Sequence, residues 1–348
     1  MLSYDLISPK GGTICASRAQ WLSGNEATTA LWALELARRG HAVRVFSPQS
    51  PSEAADGVEW LPIEAFDKTE PADVVVSYRS PAILARLPQR VTSILFFGDR
   101  PAAGADDLGG AECDSLWFNS LVHWTMYRPF LRPGQRFHIG CCGYDASVFT
   151  PGAAVAAHRF INSASPYRSL GNLLSLWPRI RQALPDAELH LTGGYELWGY
   201  SPEHARELLA KDVPHAQVEI PGIVRHGVLC RDDYAALLKS CAFYLYPTTY
   251  HETCCIAVLE ASACGVIPII SSVAALKERV IDAASGVLVP ESAHWENDFL
   301  RCTVALAQDA DARSAMSFQA ARHATLFTAR RVIDELESLV RAIRAEAS

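Results

Sequence analysis

Short, continuous apolar runs separated by helical stretches recur along this chain, and they constrain its fold more than any other feature. In the first half these runs are YDLISP, VRVFSP, DVVVSY, TSILFFG and SLWFN. Continuous rather than alternating apolar residues are typical of strands that are covered on both faces of a sheet. A strand, helix, strand order favours parallel pairing with right-handed crossovers. The pattern therefore predicts an α/β fold built on doubly wound, Rossmann-like sheets.

A second series of the same kind follows, so we expect two domains. Its strands are RFINSA, ELHLTGG, VEIPGI, AFYLYP, VIPIISS and GVLVP, and its helices lie near 169–183, 202–210, 232–240, 254–264 and 274–283. We predict an N-terminal domain at 1–150, a C-terminal domain at 151–325, and a helix at 326–348 that packs back on the first domain. Since ligands bind at the carboxyl ends of such strands, the ligand site is expected in an interdomain cleft.

Composition and charge exclude several classes of protein. The formal net charge of the 348 residues is −7, which disfavours a nucleic-acid partner. No apolar stretch reaches the roughly 18 residues of a membrane span, and MLSYDLISPK lacks the basic and then apolar order of a signal peptide. The expected location is cytoplasmic. Arg128, Arg132 and Arg136 alternate with aromatic residues, but two prolines interrupt that segment, so peripheral membrane contact is disfavoured.

The cysteines and histidines do not have the spacing of metal ligands. The ten cysteines include the pairs Cys141-Cys142 and Cys254-Cys255 but no CxxC, and the histidines form no HExxH. We expect reduced, mostly structural thiols and no metal or other cofactor. A dinucleotide-dependent dehydrogenase is also disfavoured, because no G-x-G-x-x-G follows the first strand.

The stretch YHETCCIAVLEASACGVIP places Glu252 and Glu260 around an apolar run that is expected to form a helix. The amides of Thr253, Cys254 and Cys255 would then lie in the first turn, where the positive end of the helix favours phosphate. Carboxylates accept hydrogen bonds from hydroxyls, so Glu260 can hold a ribose diol and Glu252 a sugar. On this interpretation both glutamates lie at a wet edge of the helix. The alternative is a first-turn acid favoured by the helix dipole and a second glutamate that is merely exposed.

The same stretch resembles the E-x7-E motif of the retaining family 4 glycosyltransferases of GT-B fold. The family's usual form is a strand ending in Pro, a Glu, seven residues, and then Glu-Ala with a small residue and Gly-x-Pro. The resemblance covers about residues 20–47 and 137–290, since four further segments match in the family's order. They are SGNEATTALWALELARRGHAVRVFSP, FHIGCCGYDASVFTP, SASPYRSLGNLLSLWPRIRQALPDAELHLTGG and GIVRHGVLCRDDYAALLKSCAFYLYP.

The resemblance implies roles for matching residues. Glu252 would contact the donor sugar, Glu260 the ribose, and Arg168, where the family commonly has Lys, the donor diphosphate. Many members have an arginine where this chain has Ser163, so diphosphate binding would also use the hydroxyls of Ser163 and Ser165 and helix amides.

Three further positions are candidates at loops. Gly24 precedes the first long helix and Gly194 follows a strand, and both would let the backbone approach a phosphate or sugar closely. The family's N-domain histidine has no obvious equivalent here. Asp99, in FFGDRPA, is the candidate to orient or deprotonate an acceptor hydroxyl.

The function implied by this resemblance is that of a retaining, metal-independent glycosyltransferase. It would move a hexose-type sugar from a nucleoside diphosphate to an acceptor hydroxyl or similar nucleophile. The donor would lie on the C-terminal domain and an acceptor of unknown identity on the N-terminal one. Two alternatives keep the fold: a sugar-nucleotide epimerase or phosphorylase, and a catalytically silent sugar-nucleotide-binding protein.

Overall fold

A computed structural model describes most of the chain. The chain divides into two compact units. The described residues are 1–9, 14–15, 23–48, 50–85, 87–101, 112–152, 156–216 and 218–347. The first unit is Met1–Tyr144 with Phe327–Ser348, and the second is Asp145–Leu326. Most of the Gly/Ser-rich loop expected after the first strand, residues 10–13 and 16–22, lies outside the described residues.

The first unit contains an eight-stranded sheet with the order β3-β4-β2-β1-β5-β6-β7-β8. All neighbours are parallel except β3 and β4. Its strands are β1 Ser3–Ile7, β2 Ala42–Ser47, β3 Glu53–Ala55, β4 Val58–Pro62, β5 Val74–Tyr78, β6 Thr92–Phe96, β7 Ser115–Phe118 and β8 Phe137–Ile139. Its first helices are α1 Gly24–Arg38, α2 Pro81–Leu84 and α3 Leu121–Tyr127. The inner strands β5, β6 and β7 are buried along their whole length, as their continuous apolar sequences predict.

The second unit contains a fully parallel six-stranded sheet with the order β11-β10-β9-β12-β13-β14. Its strands are β9 Arg159–Asn162, β10 Glu188–Thr192, β11 Ile223–Gly227, β12 Phe243–Tyr246, β13 Ile267–Ser271 and β14 Val287–Val289. Its helices are α4 Pro166–Ala183, α5 Pro202–Asp212, α6 Arg231–Lys239, α7 Ile256–Ala263, α8 Trp295–Gln308 and α9 Ala310–Ala324. This is the Rossmann strand order 3-2-1-4-5-6. The prediction of an α/β fold with two Rossmann-like domains is confirmed, while the interdomain cleft stays a prediction.

The last helix, α10 Ala329–Glu346, belongs to the first unit and packs against α1. Its buried face includes Val332, Leu336 and Val340. Arg39, which follows α1, donates hydrogen bonds to Asp334 at 2.7 Å and to Glu337 at 3.2 Å. Apolar burial and these ion pairs together place the end of the chain on the first sheet unit.

Three predicted elements were wrong in detail. The strand expected at VEIPGI lies later, at β11, because a turn at Gly222, with φ of +79°, precedes it. The sequence of β11, IVRHG, has little apolar signal because it is an edge strand in which Val224 and Arg225 are exposed. The helix expected at 274–283 is a single 3-10 turn over Ala274–Glu278. The helix expected at 254–264 begins only at Ile256. In the described part of the chain, no helix combines the length and apolar character needed to cross a membrane.

Candidate functional site

The candidate site lies where the strand order of the second sheet reverses. Strands β9 and β12 are neighbours in this sheet. From β9 the chain adds β10 and β11 on one side, and from β12 it adds β13 and β14 on the other. Ligands of open α/β sheets bind at the carboxyl ends of the strands at such a switch point. The residues that follow these two strands, 163–168 and 247–255, therefore carry the site.

Side-chain hydrogen bonds hold the two loops together. Helix α4 starts with Pro166, whose fixed φ suits the first helical position, and this puts Arg168 in the first turn. The hydroxyl of Thr248 donates to the carbonyl of Arg168 at 2.7 Å, and the side-chain amide of Asn172 donates to the carbonyl of Pro247 at 3.0 Å. The loop after β12 is thereby fixed against the start of α4.

Arg168 and Glu252, both predicted site residues, form an ion pair. The Nη1 atom of Arg168 lies 3.0 and 3.2 Å from the two carboxylate oxygens of Glu252. The hydroxyl of Tyr246 donates to Oε1 of Glu252 at 2.5 Å. The guanidinium also lies over the ring of Tyr250, with 4.4 Å from Cζ to the ring centroid. Charge, hydrogen bonding and stacking thus fix both side chains before any ligand is bound.

Burial and nearby charges determine the protonation of Arg168 and Tyr246. Burial is the largest single influence and would lower the pKa of Arg168, but the Glu252 carboxylate and the neighbouring tyrosines together more than offset it, so that the pKa is raised. Burial and the same carboxylate raise the pKa of Tyr246 well above its ordinary value. Arg168 is therefore a permanent cation, and Tyr246 stays protonated as a hydrogen-bond donor.

Glu260 has its own arginine partner. Nη2 of Arg231, the first residue of α6, donates to Oε1 of Glu260 at 2.9 Å. The Cζ atom of Arg231 lies 4.9 Å from the ring centroid of Phe149. Glu252 and Glu260 are each 5% exposed, so neither the predicted wet edge nor the alternative of an exposed second glutamate is correct for the protein alone. Each carboxylate is buried because an arginine compensates its charge.

Three other predicted donor-binding residues follow β9 and β10. The hydroxyl of Ser163 is shared with Tyr234 at 2.7 Å and Tyr244 at 3.2 Å. Ser165 precedes α4 and makes no capping hydrogen bond with its side chain. Gly194 follows β10 with extended backbone, and a Cβ there would meet only the end of the Glu196 side chain at 2.3 Å. Gly194 is thus not required by backbone conformation.

A cavity of about 200 Å³ opens at the ends of β9, β10 and β11, next to these loops. The residues that line it include Gly193, Gly194, Pro166, Leu209 and Arg225. Small, mostly apolar cavities with a few polar groups are typical of sites for cofactors and small ligands.

The residues Thr253, Cys254 and Cys255 lie before α7 instead of in its first turn, so the prediction of their amides as first-turn donors was wrong. The first-turn amides are those of Ile256 and Ala257. The reason is the backbone of Cys255, which has a φ of +64° that an L residue rarely adopts. Burial, followed by the charge of Glu252, raises the pKa of the Cys255 thiol well above its ordinary value. The backbone of Cys255 is strained, while its half-buried thiol lies near the Arg168–Glu252 pair and is not activated as a nucleophile.

Asp99 and Gly24 belong to the first unit. The Asp99 carboxylate is 60% exposed and lies 3.0 Å from Nη1 of Arg79, whose Nη2 atom lies 3.4 Å from the buried Glu26. His123 fixes the Asp99 loop, because its Nδ1 accepts from the Asn119 amide and its Nε2 is 2.9 Å from the Asp99 carbonyl. Burial lowers the pKa of His123 to about 4.

Gly24 is the first residue of α1, so the expectation that it precedes the helix was wrong. Its carbonyl accepts a hydrogen bond from the Thr28 hydroxyl at 2.8 Å.

Sequence reasoning missed Tyr246, Tyr250 and Arg231. The alternation in FYLY, which puts Tyr244 and Tyr246 on one face of β12, was a usable signal for Tyr246. For Arg231 the signal was a cation at the start of a helix, where the dipole disfavours positive charge. Within the described ranges, no three His, Cys, Asp or Glu side chains are grouped as a metal site would require.

Comparison with known sequences gives one family and partial relatives. Residues 159–309 match the family model described as Glycosyl transferases group 1. The D-inositol 3-phosphate glycosyltransferase of Kribbella flavida is 28% identical over 206 residues, which are 53% of this chain and 46% of that protein. The protein of the same name from Stackebrandtia nassauensis is 28% identical over 212 residues, 56% of this chain and 46% of that protein. The chain thus spans about half the length of the curated relatives it matches.

Solved structures match over the whole chain. Sucrose-phosphate synthase from Thermosynechococcus elongatus superposes with a TM-score of 0.77 at 16% identity and covers 100% of both chains. HepE of Anabaena, solved in complex with UDP and glucose, gives a TM-score of 0.72 at 12% identity, over 98% of this chain and 100% of that one. At these identities the likeness shows the fold, which is the GT-B fold of those glycosyltransferase structures.

Proposed function

We propose that this protein is a glycosyltransferase that uses a nucleoside diphosphate sugar as donor. The observation that carries the proposal is the Arg168–Glu252 ion pair at the switch point of the second sheet, held by Tyr246 and stacked on Tyr250. It combines a fixed cation, which suits a diphosphate, with a fixed carboxylate, which suits sugar hydroxyls. The family match over residues 159–309 supports the same assignment.

The donor is assigned to the second unit. Arg168, the Ser163 and Ser165 hydroxyls and the amides at the start of α4 bind the diphosphate. Glu260 accepts hydrogen bonds from the ribose, Glu252 from the sugar, and the base occupies the cavity lined by Gly193 and Gly194. The HepE complex with UDP and glucose is a solved example of such ligands on this fold.

The proposed reaction retains the configuration of the sugar carbon by attack from the face that the diphosphate leaves. The acceptor oxygen forms a bond to the anomeric carbon, the bond from that carbon to the phosphate oxygen breaks, and the acceptor proton passes to the leaving phosphate. Arg168 stabilises the negative charge that develops on the diphosphate. Positive charge from the protein thus takes the place of a divalent metal in this proposal. Asp99, held by Arg79, is assigned to orient the acceptor hydroxyl, and a cytoplasmic location is part of the same proposal.

A thermal-shift panel of nucleoside diphosphates and their sugars tests this function. A ligand that binds only the native protein raises its apparent stability, so at least one nucleotide sugar is expected to raise the melting temperature. The panel then supplies the donor for product analysis, in which NMR of the product reports the anomeric configuration. Conversion of the donor alone would favour the epimerase or phosphorylase. Binding without turnover, with any of a range of hydroxylated acceptors, would favour the silent binding protein. The absence of any shift would contradict the proposal.

A further inference from the structure

The buried carboxylate of Glu260 depends on one cation in the described part of the second unit. Arg231 approaches its Oε1 atom at 2.9 Å, while the arginine itself is held over the ring of Phe149. The Glu260 side chain is 7% exposed and that of Arg231 is 21% exposed. The pair therefore joins the first turn of α6 to the middle of α7.

The other titratable groups that influence Glu260 do not supply positive charge. Asp145 adds a negative charge that raises the pKa of Glu260, while Tyr234 of α6 and Cys264, which follows α7, also interact with it electrostatically. Burial raises the pKa of Glu260, and Arg231 acts in the opposite direction. Without Arg231, burial and Asp145 would both favour the neutral carboxylic acid.

The geometry of the pair leaves the carboxylate one oxygen for a ligand. Arg231 bonds to Oε1, so Oε2 is the atom available to the hydroxyls of a ribose. An ionised carboxylate accepts hydrogen bonds more strongly than the neutral acid, which has lost part of its acceptor capacity. If the Arg231 guanidinium moved away from Glu260, it would lose its contact with the Phe149 ring. This ring contact therefore fixes the guanidinium, and the guanidinium fixes the orientation of the Glu260 carboxylate.

We propose that Arg231 is a positioning residue for the nucleotide, which pairs with Oε1 of Glu260 and leaves its Oε2 atom to the ribose hydroxyls. The proposal rests on the assignment of Glu260 to the donor ribose. Arg231 acts through Glu260 and does not touch the ligand in this scheme. In the Glu260→Gln background, substitution of Arg231 should therefore have no further effect on nucleotide affinity.

The sign of the pH dependence follows from this arrangement. In Arg231→Met the pKa of Glu260 rises further, because burial and Asp145 act without the opposing cation. Glu260 of this variant therefore takes up a proton at a higher pH than it does in the wild-type protein. Nucleotide binding by this variant weakens with falling pH more steeply than binding by the wild-type protein, and Arg231→Lys recovers most of the difference.

Isothermal titration with UDP and GDP between pH 5.5 and 8.5 tests the proposal. For the nucleotide that wild type binds, Glu260→Gln is expected to lose about 10-fold or more in affinity, with the same pH profile as wild type. Arg231→Met is expected to lose a similar factor at pH 5.5 and less at pH 8.5. Arg179→Met is the matched control, because Arg179 pairs with Glu296 on the exposed surface of the same unit.

The double variant Arg231→Met with Glu260→Gln distinguishes an effect of Arg231 that acts through Glu260 from one that is independent of Glu260. It removes the unpaired buried charge, so it is expected to fold even if Arg231→Met alone does not. The proposal predicts that it binds as Glu260→Gln does, within about twofold. Equal losses from Arg231→Met in both backgrounds would overturn the proposal, as would a wild-type pH profile in Arg231→Met. If Glu260→Gln binds as tightly as wild type, the ribose assignment itself is wrong.

Discussion

Arg168→Ala is expected to lower the rate of sugar transfer by about 100- to 1000-fold, the usual loss when a charge that stabilises the transition state is removed. The diphosphate gains negative charge as it leaves, and the fixed Arg168 cation compensates that charge in our account. The measurement is the initial rate of transfer at saturating donor, with the melting temperature recorded for each variant. Tyr246 still donates to the Glu252 carboxylate in the variant, so a folded protein of lower melting temperature is expected.

Two further variants qualify the Arg168 result. Arg179→Ala removes an exposed arginine that is paired with Glu296, and it should keep the wild-type rate because exposed ion pairs contribute little. Arg168→Lys should recover part of the rate, since lysine keeps the charge but loses the planar, bidentate geometry. A rate for Arg168→Ala within about threefold of wild type would remove Arg168 from the mechanism.

Glu252→Gln is expected to lower the transfer rate by about 100-fold while leaving the affinity for a nucleoside diphosphate unchanged or higher. Glutamine has the shape of glutamate and keeps an oxygen for the Tyr246 hydroxyl, but it loses the charge that holds the sugar hydroxyls. It also releases Arg168 from its ion pair, which favours phosphate binding by that arginine. The transfer rate and the titration with the nucleoside diphosphate are measured on the same preparation.

Slower transfer together with unchanged or tighter binding of the nucleoside diphosphate distinguishes a role of Glu252 in the site from a general loss of stability. A destabilised protein would bind the nucleoside diphosphate less well and transfer more slowly. Glu296→Gln, at the exposed partner of Arg179, is the matched control and should leave both quantities unchanged. Wild-type transfer by Glu252→Gln, or loss of diphosphate binding together with transfer, would contradict the assigned role.

The fold was predictable where burial dominates the sequence. Strands such as β5, VVVSY, and β13, IPIIS, are buried throughout and stand out as continuous apolar runs. The edge strand β11 was misplaced, and β3, β4 and β8 were missed, because strands with exposed or half-buried residues carry less hydrophobic signal. The start of α7 was misplaced because no sequence pattern indicates that the backbone of Cys255 has a left-handed conformation.

The sequence indicates candidate residues for the site but not how they pair. Glu252 and Glu260 stand out in the motif and the resemblance implies Arg168, yet the sequence does not indicate that Arg168 contacts Glu252, since 84 residues separate them. Nor does it indicate that Arg231 compensates Glu260, 29 residues further along the chain. Such contacts depend on the tertiary fold, which brings the first turns of α4 and α6 close to the two glutamates. This is why the glutamates were expected at a wet edge although both are buried.

Hydrogen exchange with mass spectrometry, with and without the nucleoside diphosphate that raises the melting temperature, tests most directly where the donor binds. We expect the ligand to slow exchange in peptides covering 161–170 and 247–260, at the switch point of the second sheet. Peptides from α10 in the first unit serve as the internal reference. A ligand that raises the melting temperature but protects neither of these two segments would contradict the assignment of the donor site.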